Sequence, residues 1–240
     1  KDEEKAQGRA LFCCARPLSD LSIEAREIGA AKDIVVKTLP CRVQKMVRLA
    51  EDVMALHLKL PINERLQFLP GQYISILLKD QKPRSFSLAN APHDDEFLEL
   101  HVRYVEGGVF TKRVFTEMKE RDILRFKGPL GTFFLREDSD KPAIFVASGT
   151  GFAPVKAIIE HALHIGLKRE LHFYWGARKL ADLYMLEKAR QWESCGIKFT
   201  PVLSEPLPGD NWQGRTGLVH QAVLDDFSDL SGYEVYACGA

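Results

Sequence analysis

The chain contains 240 residues, of which 45% are hydrophobic, and its 33 Lys and Arg residues balance 33 Asp and Glu residues. Because the net charge is zero, no overall field favours nucleic acid or an anionic membrane as a partner. The sequence has no apolar run of about 18 residues that could span a bilayer, and its first residues lack the apolar core of a signal peptide. Five cysteines without framework spacing indicate reduced thiols, so we expect a cytoplasmic protein of two compact domains.

The first half of the chain has the pattern of a β-barrel. Residues 27–40 are weakly patterned and are predicted to be a linker. From Cys41 onwards, short runs alternate between apolar and polar residues, which is typical of β-strands. The predicted strands are residues 53–60, 72–78 and 98–105. The polar residues predicted to share one face of the last strand are Glu99, His101 and Arg103. With a helix near 110–119, this pattern predicts an antiparallel Greek-key barrel over residues 41–138.

The second half of the chain alternates strands with helices, beginning after residues 138–142. The predicted strands are residues 143–147, 171–175, 199–203 and 234–238. The predicted helices run from Pro154 to about residue 166, from about residue 182 to 194, and from about residue 219 to 226. This alternation predicts an open, mostly parallel α/β sheet over residues 141–240.

Two motifs in the barrel half have the chemistry of a flavin site. Arg84-Ser85-Phe86-Ser87 offers a cation, an aromatic face and a hydroxyl, which suits a flavin ring and its phosphates. Gly107-Gly108-Val109-Phe110-Thr111 is a glycine turn that opens a helix, where N–H groups and a hydroxyl can meet phosphate oxygens. The alternatives are a solvated Arg84, a core Phe86, a Ser87 satisfied by backbone, and a plain turn that Thr111 caps.

Two further motifs lie at the carboxyl ends of predicted parallel strands, which is where such sheets bind ligands. Gly149-Thr150-Gly151 can cradle a second nucleotide, and Cys238-Gly239 ends the last strand. After the second strand, Asp182 could bind ribose hydroxyls or cap the next helix, whereas Arg178 and Lys179 could hold a ribose 2′-phosphate. A buried cysteine at a strand end and a plain strand–helix connection are the structural alternatives.

The order of these motifs resembles the ferredoxin–NADP reductase superfamily. Its members carry Arg-x-aromatic-Ser/Thr, then Gly-x-x-Ser/Thr, then Gly-Thr-Gly-x-Ala-Pro and a late Cys-Gly, and all four occur here from Arg84 to Gly239. Within it, the chain is similar to ferredoxin-fused reductases of the CDP-6-deoxy-delta-3,4-glucoseen reductase type and to reductase components of bacterial oxygenases. The resemblance runs from Gly8 to the last residue.

The resemblance implies a role for each motif. Arg84 would pair with the pyrophosphate of FAD, Phe86 would lie against the isoalloxazine ring, and Ser87 would bond the ring near the nitrogen that accepts hydride. Cys238 would sit close to the nicotinamide carbon that gives up hydride, so Ser87 and Cys238 are the candidate catalytic residues. The resemblance favours NADH, with NADPH as the alternative.

The resemblance also gives the first residues a meaning. Residues 1–26 look like the end of a plant-type ferredoxin domain, in which Cys13 would be the fourth ligand of a [2Fe-2S] cluster and Cys14 its neighbour. The other three ligands belong to a run upstream of this position, so we expect a cluster only in a longer, complete protein. Family members continue beyond a position equivalent to Ala240, so we expect truncation at both ends. The structural alternative for Cys13 and Cys14 is a pair of buried small hydrophobes.

The implied reaction is hydride transfer from NADH to FAD, followed by release of single electrons to an iron–sulfur centre and then to a partner oxygenase or dehydrase. No nucleophile motif joins the seven histidines to a serine or cysteine, and no zinc-ligand spacing is present. Two alternatives stay open: a stand-alone NAD(P)H:flavin reductase, and a non-catalytic nucleotide-binding subunit that relays electrons.

Overall fold

The computed structural model describes residues 16, 18–20, 29–79 and 81–239. The chain divides into two compact units, residues 1–32 and 33–240. In the first unit, a 3-10 turn covers Gly29–Ala31; of the predicted ferredoxin remnant, residues 1–26, the structure describes only residues 16 and 18–20, and Cys13 and Cys14 lie outside the described residues. The second unit contains both predicted domains, and their elements pack together as one body.

Six antiparallel strands form the predicted barrel, in the order β4-β3-β6-β1-β2-β5. The strands are β1 (Lys37–Ala50), β2 (Val53–Lys59), β3 (Tyr73–Ile76), β4 (Arg84–Ser87), β5 (Leu98–Arg103) and β6 (Ile123–Leu130). A bridge between Leu88 and Leu100 brings the chain after β4 against β5 and nearly closes the barrel. Helix α1 (Val109–Thr116) follows β5, and it buries Phe110 and Val114. Apolar side chains fill the barrel core, as is typical of the interior of a small barrel.

Strand β1 begins at Lys37, inside the segment predicted to be a linker. Leu39, Cys41 and Val43 alternate into the core, which places this stretch in the barrel. Pro40 hides the pattern in the sequence, because proline lacks the N–H that a central strand needs. It is tolerated because β1 pairs at this level with β6, whereas its pairing with β2 starts only at Arg42.

Five parallel strands form the second sheet, in the order β10-β9-β8-β7-β11. The strands are β7 (Ala143–Ser148), β8 (Leu171–Ala177), β9 (Lys198–Leu203), β10 (Arg215–Thr216) and β11 (Glu234–Cys238), and the helices are α2 (Phe152–His164), α3 (Leu186–Gln191) and α4 (Val219–Asp226). Successive residues of β7 face opposite sides: Phe145 joins the larger core and Ile144 the smaller core under α4.

The helix predicted over 182–194 is shorter than expected. A 3-10 turn at Leu180–Asp182 precedes α3, and another at Trp192–Cys195 follows it. The first turn is closed by Asp182, whose carboxylate accepts a hydrogen bond from the Lys179 N–H at 3.1 Å. The second ends at Gly196, which has a φ of 92°. The two-residue strand β10 is too short to show an alternating pattern in the sequence.

Helix α2 joins the two halves of the second unit. Of its 13 residues, nine are buried, because it packs on its own sheet and on the barrel. On the barrel side, a Cβ added to Gly71 would lie 2.9 Å from Ile158 Cδ1, so the helix and the barrel approach closely there. Within the described ranges, no helix has both the length and the apolar character needed to cross a membrane.

Candidate active site

A cavity of about 780 Å³ lies between the barrel and the carboxyl ends of the parallel strands. On the barrel side it is lined by β4 and by two residues of β5. On the sheet side it is lined by the turn after β7, the end of β8 and the end of β11. The predicted residues that line it are Ser85, Phe86, Ser87, Gly149, Thr150, Gly151, Arg178, Asp182, Cys238 and Gly239. The structure therefore brings motifs from both halves of the sequence to one site.

Strand β4 presents its motif at the edge of this cavity. Phe86 is half-buried, lines the cavity and packs on Phe110 with ring centroids 5.2 Å apart, so it serves the core and the cavity together. Ser85 Oγ hydrogen-bonds Ser75 Oγ on β3 at 2.9 Å. Ser87, at the end of the strand, lines the cavity that the glycine turn also lines.

A smaller cavity of about 350 Å³ adjoins the first and contains Arg84 together with the start of α1. The first N–H groups of α1, at Val109, Phe110 and Thr111, have no acceptor within the helix, and they carry the positive end of its dipole. Arg84 is exposed, and its guanidinium donates to the carbonyl of Lys82 at 2.7 Å. This corner of the protein combines an exposed cation with backbone donors at a helix start, which suits a phosphate group.

The hydroxyl of Thr111 is used inside the turn. It accepts from the Val105 N–H at 3.2 Å and lies 3.1 Å from the carbonyl oxygens of both Val105 and Gly108, to which it can donate. Gly108 is needed because a Cβ there would lie 2.5 Å from Thr111 Oγ1. Gly107, with a φ of 73°, and the exposed Val109 are outside the linings of both cavities. Gly107 and Thr111 thus shape the turn, and Thr111 together with Gly108 also lines the smaller cavity.

The turn after β7 is a 3-10 turn, Gly149–Gly151, that leads directly into α2. Gly149 has a φ of 54°, and its carbonyl accepts a hydrogen bond from Trp175 Nε1 at 3.0 Å. A Cβ on Gly151 would lie only 2.1 Å from the carbonyl oxygen of Cys238. The motif therefore has glycine where the turn must pass close to the end of β11.

Cys238 and Gly239 form the opposite wall at this point. Cys238 is half-buried, and burial raises the pKa of its thiol, so the side chain stays protonated at neutral pH. Gly239 has a φ of 140°, and a Cβ there would lie 2.6 Å from the carbonyl oxygen of Ser148. A protonated thiol in this position is a small neutral group against the cavity, unsuited to nucleophilic attack.

The far end of the larger cavity contains Arg178 and Asp182, with Ser204 after β9 and His220 in the first turn of α4. Arg178 is exposed, and Asp182 closes the 3-10 turn before α3. Asp182 therefore caps a turn while it also lines the cavity. Lys179 is outside the cavity lining.

Two residues of β5, His101 and Arg103, belong to the site. Their alternation with apolar residues in the sequence predicts only that they share one face of a strand, and does not predict that this face lines a cavity. His101 and Arg103 line both cavities. Arg103 Nη1 lies 3.1 Å from where a Cβ on Gly149 would be, and its Nε is 3.3 Å from Asp52 Oδ2. Among the described residues, the buried Nε and Nη2 of Arg103 have no hydrogen-bond acceptor in suitable geometry. Only the packing of α2 against the barrel shows that this face of β5 lines a cavity.

These observations fit two nucleotide cofactors. The smaller cavity supplies cations and helix N–H groups for a pyrophosphate, and the larger one joins an aromatic side chain on β4 to a glycine turn at the ends of parallel strands. Across the ranges that the structure covers, no group of three or more His, Cys, Asp or Glu side chains is arranged to hold a metal ion.

Comparison with known proteins agrees with this geometry. Residues 40–135 match the oxidoreductase FAD-binding domain family, and residues 145–240 match the oxidoreductase NAD-binding domain family. The chain is 42% identical over 243 residues to the CDP-6-deoxy-L-threo-D-glycero-4-hexulose-3-dehydrase reductase of Yersinia pestis, covering 100% of this chain and 72% of that protein. It is 35% identical to the phenol hydroxylase P5 protein of Acinetobacter pittii, covering 99% and 69%.

Among solved structures, the Amycolatopsis cytochrome P450 reductase GcoB is 34% identical to the chain and superimposes with a TM-score of 0.79. The match covers 99% of this chain and 72% of that one. The predicted fold, a flavin-binding barrel followed by a nicotinamide-binding sheet, is confirmed by these matches.

Proposed function

Because the chain belongs to the ferredoxin reductase family of FAD- and NAD-binding oxidoreductases, we propose that it takes hydride from NADH onto FAD held by the barrel and passes single electrons to a protein acceptor. Its family makes it an NAD(P)H-dependent flavoprotein reductase. What we propose beyond the family is that NADH is the donor, that a protein is the acceptor, and that the residues named below have the binding roles given there.

The observation that carries the proposal is the shared cavity. Ser87 on β4 and Gly149–Gly151 after β7 come from separate cores, yet they line the same space of about 780 Å³. Two planar rings, one held by each core, can therefore meet face to face between them. Such positioning contributes a large part of the barrier reduction in transfer reactions, since the reacting atoms must lie about 3–3.5 Å apart.

Each motif then has a binding role. Arg84 and the first turn of α1 neutralise the FAD pyrophosphate, Phe86 covers one side of the flavin, and Ser87 bonds the ring edge. The turn Gly149–Gly151 receives the nicotinamide nucleotide, and Arg103 supplies a cation between the two cofactors. The cofactors themselves supply the redox chemistry, and the protein orients them and excludes water. No general acid or base is needed.

NADH is the proposed donor because Asp182 lines the end of the cavity where the adenosine ribose would lie. A carboxylate there accepts hydrogen bonds from ribose hydroxyls and repels a 2′-phosphate. Arg178, exposed beside it, is the residue that would favour NADPH. The ratio of kcat/KM for NADH and NADPH, and its change in Asp182→Ala, measures the balance between these two residues.

The relatives suggest the kind of acceptor. One is named a dehydrase reductase and another a phenol hydroxylase protein. We propose a partner dehydrase or oxygenase component, reached through a [2Fe-2S] centre to which Cys13 would contribute in a longer protein. Cys13 lies outside the described residues, so only the sequence supports its proposed role as a cluster ligand.

Stopped-flow mixing of NADH with the FAD-loaded chain tests the proposal. We expect the visible absorption of the flavin to bleach in a single turnover. A chain that binds both nucleotides without bleaching is a nucleotide-binding subunit, which contradicts the proposal. Gel filtration of the loaded chain tests the second alternative, because a stand-alone flavin reductase releases its flavin whereas this chain should retain FAD.

A further inference from the structure

A buried ammonium group joins the two sides of the cavity. Lys156, on α2, is only 6% exposed. Its Nζ donates to the carbonyl of Ala89 at 3.0 Å, to Glu99 Oε2 at 3.0 Å and to Glu160 Oε2 at 3.1 Å. All three ammonium protons therefore have acceptors. Two of these acceptors belong to the barrel and the third to α2 itself.

The positions of these partners along the chain matter. Ala89 follows Ser87 by two residues, and Glu99 lies on β5 two residues before His101. Both barrel segments that line the cavity are thus tied to a single atom. Lys156 in turn lies five residues after Gly151, in the helix that begins at the glycine turn. A shift of this ammonium would move the flavin side of the cavity relative to the nicotinamide side.

The same network continues to the cavity wall. Glu99 Oε1 lies 2.7 Å from His101 Nε2, and His101 Nδ1 lies 3.0 Å from the hydroxyl of Tyr184. Because the ionised Glu99 carboxylate can only accept, Nδ1 of the neutral imidazole is an acceptor, and the hydroxyl of Tyr184, which burial keeps protonated by raising its pKa, donates to it. The proton of the neutral imidazole is then on Nε2, which donates to Glu99. Lys156 therefore fixes Glu99, and Glu99 fixes the ring of His101.

Stability alone does not account for this arrangement. Replacing a buried ion pair with apolar groups of similar volume is often neutral or stabilising. Here the ion network fixes three directions and distances from one atom, to the Ala89 carbonyl, Glu99 and Glu160, and buried polar groups have such a specifying role in some proteins. We propose that Lys156 is a positioning residue, which holds β4 and β5 against the glycine turn at the spacing that hydride transfer requires. This inference rests on the proposed function.

The double variant Glu99→Gln with Lys156→Met tests it. The substitutions remove both charges together, so this pair leaves no unpaired charge between barrel and helix, and the new side-chain amide oxygen at position 99 can still accept from His101. The matched control is Lys188→Met, because Lys188 pairs with the other carboxylate oxygen of Glu160, at 2.9 Å, and not with the oxygen that Lys156 uses. Both variants are made in the full 240-residue chain and loaded with FAD.

We expect the double variant to bind FAD within about threefold of the parent, because Arg84 and α1 are untouched. The limiting rate of flavin reduction should fall by about 10- to 100-fold, the effect typical of misplacing reacting groups by about 1 Å. The NADH concentration for half-saturation should change little, and the long-wavelength absorption of stacked flavin and nicotinamide should weaken. Lys188→Met should match the parent in all four measurements.

A parental rate with parental long-wavelength absorption in the double variant would overturn the inference, as would an equal loss of rate in Lys188→Met. If the double variant does not fold, the limiting rate of flavin reduction is measured in Lys156→Arg instead. The planar guanidinium of arginine cannot serve the same three acceptors, so a parental rate in that variant would also contradict the positioning role. Hydrogen exchange without cofactors separates the two proposals. Faster exchange at residues 87–89 and 98–103 in the double variant would show that the network holds these segments, whether or not NADH reduces the parent, and unchanged exchange there would contradict the positioning role.

Discussion

Two arginines reach the smaller cavity, and they are held in different ways. Arg84 is exposed and donates to carbonyls of its own segment, at Lys82 and Pro83. Arg103 is half-buried, pairs with Asp52 and lies against Gly149. Arg84 can therefore turn towards a ligand, whereas Arg103 is fixed beside the place where the two cofactors would meet.

Arg84→Ala should weaken FAD retention without altering the fold. A hydrogen bond to a charged group contributes about 1.5–3 kcal/mol, so the dissociation constant should rise by about 10- to 150-fold. Fluorescence titration of the apoprotein with FAD measures it. Arg125→Ala is the matched control, because Arg125 is exposed on β6 and outside both cavity linings. Equal FAD affinity in Arg84→Ala and the parent would remove Arg84 from the site.

Cys238→Ser should leave FAD bound and slow the reduction of the flavin by NADH. Cys238 lies at the end of β11 and lines the larger cavity but not the smaller one, so its replacement does not touch the barrel. Stopped-flow reduction measures the rate, and Cys195→Ser, an exposed cysteine away from the cavity, is the control. Loss of flavin from Cys238→Ser, or a rate equal to that of Cys195→Ser, contradicts the assignment.

At the scale of elements, the glycine turn depends on a close backbone approach. Gly151→Ala should destabilise the protein by about 1–3 kcal/mol, because the new Cβ would lie 2.1 Å from the Cys238 carbonyl oxygen and the turn or β11 must move. The same movement should weaken NADH binding. Urea unfolding and NADH titration measure both effects. Gly209→Ala is the control: its Cβ meets no atom of the described structure within 4 Å. Parental stability in Gly151→Ala would show that the approach is not restrictive.

Some elements could be predicted well from the sequence because their pattern is local. Strand β11 and helix α4 occur at the predicted residues, since a short apolar run and an amphipathic turn carry their own signal. The start of strand β1 is not predicted, because Pro40 interrupts the pattern of a strand. The structure tolerates this proline because β1 pairs there with β6 but not yet with β2. The burial of His101 could not be predicted, because it depends on α2, which lies about 50 residues later in the chain. Local alternation places a residue on a face, and only tertiary packing decides what covers that face.

At the scale of the whole molecule, the network between barrel and sheet should make stability fall in acid. Burial lowers the pKa of His101, so below about pH 6.5 the unfolded chain takes up a proton that the folded chain does not. Burial alone would raise the pKa of Glu99, but the hydrogen bond from His101 and the charge of Lys156 hold it at about 2. Its stabilising contribution is present above its ordinary value of 4.5 and is lost as the pH falls towards 2.

We therefore expect the urea midpoint of the parent to fall steadily from about pH 7 to about pH 3. A variant with Glu99→Gln and His101→Gln should show a flatter curve over the same range, because neither replacement titrates. Lys188→Met, which keeps both titrating groups, should follow the parent. Parallel curves for the parent and the double glutamine variant would show that other groups dominate the acid response.

The whole chain should show a flavin spectrum without the broad absorption of an iron–sulfur cluster. The three described cysteines lie in different elements: Cys41 in the barrel core, Cys195 on an exposed turn and Cys238 at the end of β11. Burial raises the pKa of Cys41 to about 12, so its thiol is not a ready metal ligand. Iron and sulfide analysis after anaerobic reconstitution measures this. Stoichiometric amounts in the 240-residue chain would contradict the expectation.

The bond from Trp175 to the glycine turn gives the protein an optical reporter of its own. The indole is fully buried, stacks on Phe152 with centroids 4.1 Å apart and donates to the Gly149 carbonyl. Any ligand that moves this turn must change the polarity and the quenching around the indole, and a flavin held by the barrel can accept its excitation energy. In a variant whose other two tryptophans, Trp192 and Trp212, are replaced by Phe, the emission of Trp175 should therefore follow nicotinamide binding and flavin loading in real time, without an attached dye.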